Sequence, residues 1–338
     1  MHCSKIDAIF SVGSLEGCPQ LGVFLRAPTG CAALDDARVV LAKGAGAPHA
    51  KIAFMRTLLL ADGVQVPSLG LGTWRLGESH QAHDGDVTAV RRALDLGYRL
   101  IDTAEMYGDG GAERVVGEAL RAGVQAGAVR REDAFIVTKV MPTNATRKGT
   151  AAACERSLKR LGLEYVDLYL LHWRGAHPLA ETVAAFEALL ARGLIRAWGV
   201  SNFDVDDLNE LWTVADGQRC VVNQVYYSAG ERGIEFDLLP AQRTRALASM
   251  AYCPLDQGTL ASDPTFADIG QRHGVSAAQA ALAWVLRQPD VIAIPKAGRA
   301  QHLRENLAAA ELTLTDRDLA TVDAHFAPPK RKQRLAMT

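Results

Sequence analysis

The feature that most constrains the fold is a regular alternation of short apolar runs and longer amphipathic stretches, which begins after Pro67 and continues almost to the C-terminus. Short apolar runs predict strands, whereas an apolar period of about 3.6 residues predicts amphipathic helices. Eight such strand–helix units predict a parallel sheet with helical crossovers. Their even spacing favours a closed (β/α)8 TIM barrel over an open, doubly wound sheet. We predict strands at 69–71, 99–102, 135–139, 166–171, 195–199, 220–224, 249–252 and 291–294.

Local signals place the ends of several elements. Asp62-Gly63 lies between two short apolar runs, which predicts a β-hairpin before the barrel. Capping-box patterns begin at Ser276 and at Thr315, and the second of these predicts an extra C-terminal helix. We expect the basic tail after Phe326 to be solvated. Helices between the strands are predicted near 85–97, 112–122, 149–161, 180–192, 204–214, 237–246, 276–288 and 300–310.

Residues 1–54 differ from the rest of the chain. They hold three of the six cysteines, are rich in alanine and glycine, and lack a sustained amphipathic period. Asp7 and Glu16 interrupt any apolar core that a secretory signal would need. We expect a poorly ordered extension, with Met55 as the natural start and residues 55–338 as one barrel domain. A targeting or partner-binding tail is the alternative.

The overall composition excludes several classes of protein. The 37 basic and 38 acidic side chains give a formal charge of −1, whereas nucleic-acid-binding proteins usually carry a basic excess. No apolar run approaches the roughly 18 residues that a membrane-spanning helix needs. The cysteines include no C-x-x-C pair and no zinc-type spacing, which favours free thiols in a reducing compartment. We therefore expect a cytoplasmic protein with no membrane, nucleic-acid or metal partner.

Four polar residues follow successive predicted strands on the rim where such barrels carry their reactive groups. They are Asp102, Tyr107, Lys139 and His172. A phenol, with a pKa of about 10, is a weak acid at neutral pH, and a nearby ammonium lowers that pKa. Lys139 is expected to act on Tyr107 in this way while Asp102 holds the ammonium. His172 would position a carbonyl oxygen that gains negative charge in the transition state.

Each of these residues alone has a structural explanation. The aspartate is typical of a helix cap, the tyrosine of a packing aromatic, the lysine of a solvated charge and the histidine of a hydrogen-bonded core residue. Their joint placement at the ends of three successive strands favours a proton-transfer site instead.

Six segments carry a family resemblance. They are GLGTW (70–74), IDTAEMY (101–107), VTK (137–139), DLYLLHW (167–173), GVSNF (199–203) and IPK (294–296). In this order the chain resembles the aldo/keto reductases over residues 55–325. The resemblance implies a monomeric barrel that uses NADPH, with Tyr107 as proton donor, Lys139 and Asp102 tuning it, and His172 orienting the carbonyl.

The same resemblance implies a cofactor site, although the chain has no G-x-G-x-x-G motif. Tyr252 would stack on the nicotinamide, and Lys296 would meet the 2′-phosphate. Ala297 and His302 stand where a serine and an arginine are common in the family, so Arg299 would compensate and use of NADH stays open. The implied cofactor-binding residues are Gly72, Thr73, Trp74, Asp102, Ser201, Asn202, Gln224, Tyr252, Cys253, Pro254, Leu255, Gln257, Lys296, Ala297, Arg299, His302, Glu305 and Asn306.

The expected substrate is a small carbonyl compound, and its site would comprise Trp74, Tyr107, His172 and Trp173. Residues 223–227 and 231–240 resemble the bacterial family members that include methylglyoxal reductases. A short loop between 255 and 266 suggests an open pocket for small aldehydes. Two alternatives remain: a barrel that binds NADPH as a redox-sensing or regulatory subunit with little turnover, and an isomerase or aldolase that uses Lys139 as a Schiff-base nucleophile.

Overall fold

Eight parallel strands form a nearly closed barrel in the computed structural model, which describes residues 56–338. Each strand pairs with the next one in the sequence, and single bridges from Leu69 to Ala293 and from Gly72 to Lys296 join the first strand to the last. The predicted (β/α)8 fold and all eight predicted strands are confirmed. The barrel strands are β3 Gly70–Gly72, β4 Leu100–Asp102, β5 Phe135–Val140, β6 Val166–Leu171, β7 Ile195–Ser201, β8 Val222–Tyr226, β9 Ala248–Tyr252 and β10 Val291–Ala293, and the predicted hairpin before them is β1 Thr57–Leu59 with β2 Gln65–Pro67. The expected extension, 1–54, lies outside the described residues.

Helices cover the outside of the barrel. The eight predicted between strands and the predicted C-terminal helix are all present. Their bounds, with one further helix, are α1 His83–Asp95, α2 Gly111–Gln125, α3 Arg147–Leu161, α4 Leu179–Ala191, α5 Val205–Thr213, α6 Leu238–Arg243, α7 Pro264–His273, α8 Ala277–Leu286, α9 Ala300–Ala309 and α10 Asp316–His325. None of the helices in the described part of the chain combines the length and the apolar character needed to cross a membrane.

Helix α7 was not predicted, because the segment before Ser276 has few apolar residues. Its start nevertheless carries local signals: the Asp263 side chain accepts hydrogen bonds from the backbone N–H groups of Thr265 and Phe266, and Pro264 occupies the first turn. The segment between 255 and 266 is a 3-10 turn, Asp256–Ser262, followed by the start of α7.

Both predicted capping boxes form. The Ser276 side chain accepts from the Gln279 N–H, and the Thr315 side chain accepts from the Asp318 N–H. Asp318 also accepts hydrogen bonds from Arg272 and His273 at the end of α7, although only 1% of it is exposed. One carboxylate therefore begins α10 and fastens it to α7.

Side chains alternate between two apolar cores along each strand, as the two-residue period of a strand requires. In β5, Ile136 belongs to the layer between barrel and helices, whereas Phe135 and Val137 belong to the cluster inside the barrel. Leu58 and Val66 of the hairpin belong to that inner cluster as well. The inner row of β5 continues past Val137 to Lys139, so the same period that fills the barrel brings a lysine to its other end.

Candidate active site

The four predicted catalytic residues meet at the carboxyl end of the barrel. Asp102 is the last residue of β4, Lys139 lies near the end of β5, and His172 directly follows β6. Tyr107 lies in the turn between β4 and α2. Because these strands are parallel neighbours, residues far apart in sequence share one rim.

A buried ion pair forms the base of the site. The Lys139 Nζ donates to both carboxylate oxygens of Asp102 at 2.8 Å and to the Thr103 carbonyl oxygen at 2.8 Å. The Gln224 Nε2 donates to Asp102 Oδ1, also at 2.8 Å. Burial raises the pKa of Asp102 and lowers the pKa of Lys139, while the attraction between the two charges opposes both shifts. This dense hydrogen bonding is what allows a charged pair to exist away from water.

The hydroxyl group of Tyr107 lies beside this ion pair. Lys139 Nζ is 3.4 Å from the tyrosine oxygen and 4.9 Å from the centre of the ring. Burial, followed by the negative charge of Asp102, raises the pKa of Tyr107 well above its usual value. The net shift is therefore upward in the protein alone, because burial and the Asp102 charge outweigh the lowering expected from the nearby ammonium. The phenol stays protonated at neutral pH, which suits a proton donor.

His172 completes the group as a neutral side chain. Its ring centre is 5.7 Å from that of Tyr107, with the two rings edge to face. Burial and the nearby Lys139 charge lower the pKa of His172 well below its usual value. Its buried Nδ1 has no hydrogen-bond partner among the described residues. A neutral imidazole carries one donor and one acceptor nitrogen, so His172 can offer a hydrogen bond without adding charge.

A second polar group lies next to His172 at the ends of β7 and β9. The Tyr252 hydroxyl donates to Asn202 Oδ1 at 2.8 Å, and Asn202 Nδ2 donates to the His172 carbonyl oxygen at 3.1 Å. The Ser201 hydroxyl donates to the Gln224 carbonyl oxygen at 2.8 Å. Asn202 has a φ of +58°, in the left-handed region that few non-glycine residues adopt. The structure thus connects the predicted nicotinamide-binding residues to the catalytic group.

The next predicted cofactor residues lie where the barrel closes. Gly72 pairs with Lys296 across the closure, and the Thr73 hydroxyl donates to the Asp102 carbonyl oxygen at 2.9 Å. Trp74 follows as a half-buried ring with the Arg75 guanidinium 4.7 Å from its centre. Thr73, which was predicted to bind the cofactor, therefore also holds the end of β4 in place through Asp102.

The start of α9 has the character of an anion site. Lys296, Arg299 and His302 are exposed around it, and no side chain caps its first turn. The free N–H groups of a helix start attract phosphate. Ala297 is buried, and so is Asn306; the buried Tyr98 hydroxyl donates to the Leu303 carbonyl oxygen of the same helix at 3.0 Å.

The remaining predicted cofactor-binding residues are more scattered. Glu305 accepts a hydrogen bond from Gln301 on the surface of α9. After β9, Pro254 is buried and Leu255 half-buried, while Gln257 is exposed. Cys253, Asp256 and Gln257 have φ values of +49°, +50° and +54°, so three non-glycine residues of this loop are in the left-handed region.

The C-terminal tail contributes to the site, which the sequence pattern did not indicate. It lines a cavity of about 530 Å³ together with Trp173 and Asn202. Lys332 forms an ion pair with Asp206 at 2.9 Å, so the tail is attached to α5 as well as solvated. A clue was available in Leu335 and Met337, two apolar residues within an otherwise basic segment.

Comparison with known proteins gives consistent matches. The model of the aldo/keto reductase family matches residues 68–327. The chain is 46% identical over 279 residues to methylglyoxal reductase YeaE of Escherichia coli, an alignment that covers 81% of this chain and 96% of the relative. It is 35% identical over 268 residues to glyoxal reductase of Bacillus subtilis, covering 79% and 92%. An aldo/keto reductase of Klebsiella pneumoniae, crystallised with NADP and acetate, has 45% identity and a TM-score of 0.79, covering 84% and 100%.

Proposed function

Because this chain belongs to the aldo/keto reductase family, we propose that it is an NADPH-dependent reductase of small aldehydes and 2-oxoaldehydes, with methylglyoxal as the model substrate. The observation that carries the proposal is the Tyr107 hydroxyl beside the buried Lys139–Asp102 pair, on the same rim as a neutral His172. These groups can donate one proton and orient one carbonyl oxygen, and both are needed when a carbonyl is reduced to an alcohol.

The residues around the rim fit a nicotinamide cofactor. Ser201, Asn202 and Gln224 offer amide and hydroxyl groups for a carboxamide, and the Tyr252 ring lies beside them. Lys296 and Arg299 stand before the uncapped start of α9, where they would hold a phosphate. When bound, the dihydronicotinamide supplies the hydride. The complexes of the Klebsiella pneumoniae proteins with NADP and NADPH support NADPH as the cofactor.

Tyr107 transfers its proton to the carbonyl oxygen as that oxygen becomes an alkoxide. The tyrosine is left as a phenolate, and Lys139 stabilises it because the ammonium is 3.4 Å away. Asp102 keeps the ammonium charged and directed at Tyr107. His172, being neutral, donates a hydrogen bond to the same substrate oxygen and so favours the geometry in which charge develops there.

The proposed substrate pocket is beside His172, which Trp173 follows directly in the chain. Trp74 and Trp173 are half-buried at the ends of β3 and β6, and Trp173 lines the 530 Å³ cavity. A cavity of this size holds a small ligand. The names of the Escherichia coli and Bacillus subtilis relatives, a methylglyoxal reductase and a glyoxal reductase, support a small dicarbonyl substrate.

The direct test is to incubate the protein with NADPH and methylglyoxal and to follow the absorbance of the reduced cofactor. We expect steady oxidation of NADPH that depends on the aldehyde, and slower oxidation of NADH. No turnover with methylglyoxal or with any of a dozen other aldehydes would contradict the proposal. Tight NADPH binding together with that absence of turnover would instead favour a regulatory barrel.

A further inference from the structure

Glu105 is a buried carboxylate between Asp102 and Tyr107 that the proposed mechanism does not use. Only 8% of the residue is exposed. Its Oε1 accepts a hydrogen bond from the backbone N–H of Met141 at 2.8 Å and another from Asn144 Nδ2 at 2.9 Å. Its own backbone N–H donates to the Lys139 carbonyl oxygen at 3.4 Å. One residue therefore ties the turn that carries Tyr107 to Lys139 and to the segment that follows the lysine.

We propose that Glu105 is a positioning residue that sets the separation between the Tyr107 hydroxyl and the Lys139 ammonium. The proposal rests on the proposed function, in which that separation matters. Glu105 lies two residues before Tyr107, and Met141 lies two residues after Lys139, so the bond between them spans the two segments next to the reacting groups.

The contact between tyrosine and lysine is too weak to hold this geometry by itself. At 3.4 Å it is longer than an ordinary hydrogen bond between nitrogen and oxygen. Within its turn, Tyr107 donates its N–H to the Ala104 carbonyl oxygen at 3.1 Å, which makes the turn a unit but does not attach it to β5. The bonds that Glu105 accepts from Met141 and Asn144, at 2.8 and 2.9 Å, attach the turn closer to Tyr107 than does the bond from the Thr103 N–H to the Val137 carbonyl oxygen.

The choice of a carboxylate at this place needs a reason, because burying a charge is unfavourable. The nearest cation is Arg156, at 3.7 Å from Glu105 Oε2, and half of the arginine side chain is exposed. A screened pair at this distance offsets little of the burial cost. The two N–H donors that Glu105 satisfies account for it better, since a truncated side chain would leave the half-buried Met141 N–H and Asn144 amide without their acceptor.

The chain offers a matched control at the opposite end of β5. Asp167 is also buried, with 3% exposed, and its Oδ2 accepts the backbone N–H of Ile136 at 2.9 Å. Asp167 thus ties β5 to β6 with the same chemistry but far from the rim. Removing Asp167 breaks a tie to the start of β5, whereas removing Glu105 breaks two ties to the segment just after its end, and only the latter adjoin Tyr107.

The experiment compares Glu105→Ala, Glu105→Gln and Asp167→Ala in the full chain. For each we would measure kcat and KM with methylglyoxal, the Kd for NADPH and the denaturant midpoint. Displacements of about 1 Å cost on the order of 100-fold in rate, so we expect Glu105→Ala to lower kcat by about 10- to 100-fold with the NADPH Kd within about twofold. Glu105→Gln, which keeps an oxygen acceptor for Met141, should recover most of kcat. Asp167→Ala should lower the midpoint and leave kcat within about twofold.

Crystal structures of Glu105→Ala and of the unaltered protein provide a readout that does not depend on turnover, with a longer separation between Tyr107 and Lys139 expected in the variant. A kcat within about twofold in folded Glu105→Ala would overturn the proposal, and so would equal losses of kcat in Glu105→Ala and Asp167→Ala. Should Glu105→Ala fail to fold, Glu105→Asp withdraws the acceptor by one methylene group, and an unchanged kcat there has the same force. Absence of turnover in the unaltered protein would count against the proposed function and not against this inference, which the structures still test.

Discussion

The two ends of strand β5 carry similar groups that are used differently. At the amino end, Asp167 accepts from the Ile136 N–H and is paired with Arg131 at 2.9 Å and Arg196 at 3.5 Å. Both arginines also stack on Tyr165, at 4.1 Å and 4.0 Å from the ring centre. Two arginines thus compensate the Asp167 charge, and Phe135 at the same end of β5 belongs to the inner apolar cluster with Leu58 and Val66 of the hairpin, so this end serves stability.

The carboxyl end of β5 is less fully compensated. One ammonium, that of Lys139, is shared among Asp102, the Thr103 carbonyl oxygen and Tyr107, and the buried His172 Nδ1 has no partner among the described residues. Asn202 nearby has a left-handed backbone conformation. Unsatisfied groups and strained residues concentrate where a protein does chemistry, since only function repays their cost. The difference teaches that this barrel stores its stability at one end and its reactivity at the other.

The largest effect that would test this division is expected from Tyr107→Phe. Loss of the proposed proton donor should lower kcat by about 1,000-fold, because general acid catalysis contributes 100- to 10,000-fold. The free energy of unfolding and the Kd for NADPH should change little. The same substitution at the other end, Tyr165→Phe, is the control and should leave kcat unchanged. Comparable losses of kcat in both variants would show that the two ends are not functionally distinct.

Replacing Lys139 by methionine should affect both stability and activity. The substitution leaves Asp102 buried without its cation, which should lower the free energy of unfolding by about 3–5 kcal/mol and nearly abolish turnover. The double variant Lys139→Met with Asp102→Asn should regain much of the stability and none of the activity. Denaturant unfolding and kcat measured on the same samples check both parts. Recovery of activity in the double variant would contradict the proposed part of the ammonium in proton transfer.

Acid should weaken the attachment of α10 to α7. Burial opposes the effect, but hydrogen bonds from Thr315, His273 and Arg272 lower the pKa of Asp318. A carboxylate whose pKa is lower in the folded state contributes stability above its unfolded pKa of about 4, and that contribution is lost as the pH falls below this value. Thermal unfolding of Asp318→Asn should therefore show a smaller loss of stability between pH 6 and pH 3 than the unaltered protein. An unchanged pH dependence in Asp318→Asn would show that protonation of Asp318 does not cause the loss of stability in acid.

The smallest expected effect is a near-absence of pH dependence at the site. Because the pKa of Tyr107 is raised, the proton donor stays protonated as the pH rises through the usual tyrosine range. We expect kcat/KM for methylglyoxal to vary by less than about twofold between pH 7 and pH 9, with any decline only above about pH 10. A decline beginning near pH 8 would mean that the Lys139 charge outweighs burial and brings the Tyr107 pKa below its usual value.

Local signals predicted most of the fold. The strands, the hairpin turn at Asp62-Gly63 and the capping boxes at Ser276 and Thr315 depend on neighbouring residues in the chain, so the sequence shows them directly. Helix α7 was missed because its few apolar residues gave no clear period, although Asp263 marked its start.

The predicted catalytic residues follow from where strands end, but their surroundings do not. The contacts of Glu105 with Met141 and of Gln224 with Asp102 join residues 36 and 122 positions apart, and only the closed barrel brings them together. The direction of the Tyr107 pKa depends on burial and on the balance between Lys139 and Asp102, neither of which is visible in a linear pattern. These contacts and this pKa direction therefore depend on the three-dimensional arrangement and not on the sequence period.

The pairing of Gly72 with Lys296 makes the first and last barrel strands neighbours. A ring of this kind is complete only when its final strand docks on its opening one. A dinucleotide that contacts Lys296 after the last strand and Trp74 after the first would bridge the two strands where the barrel closes. Its affinity would then add directly to the stability of the closed ring, so the loaded protein should resist heat and proteases better than the empty one.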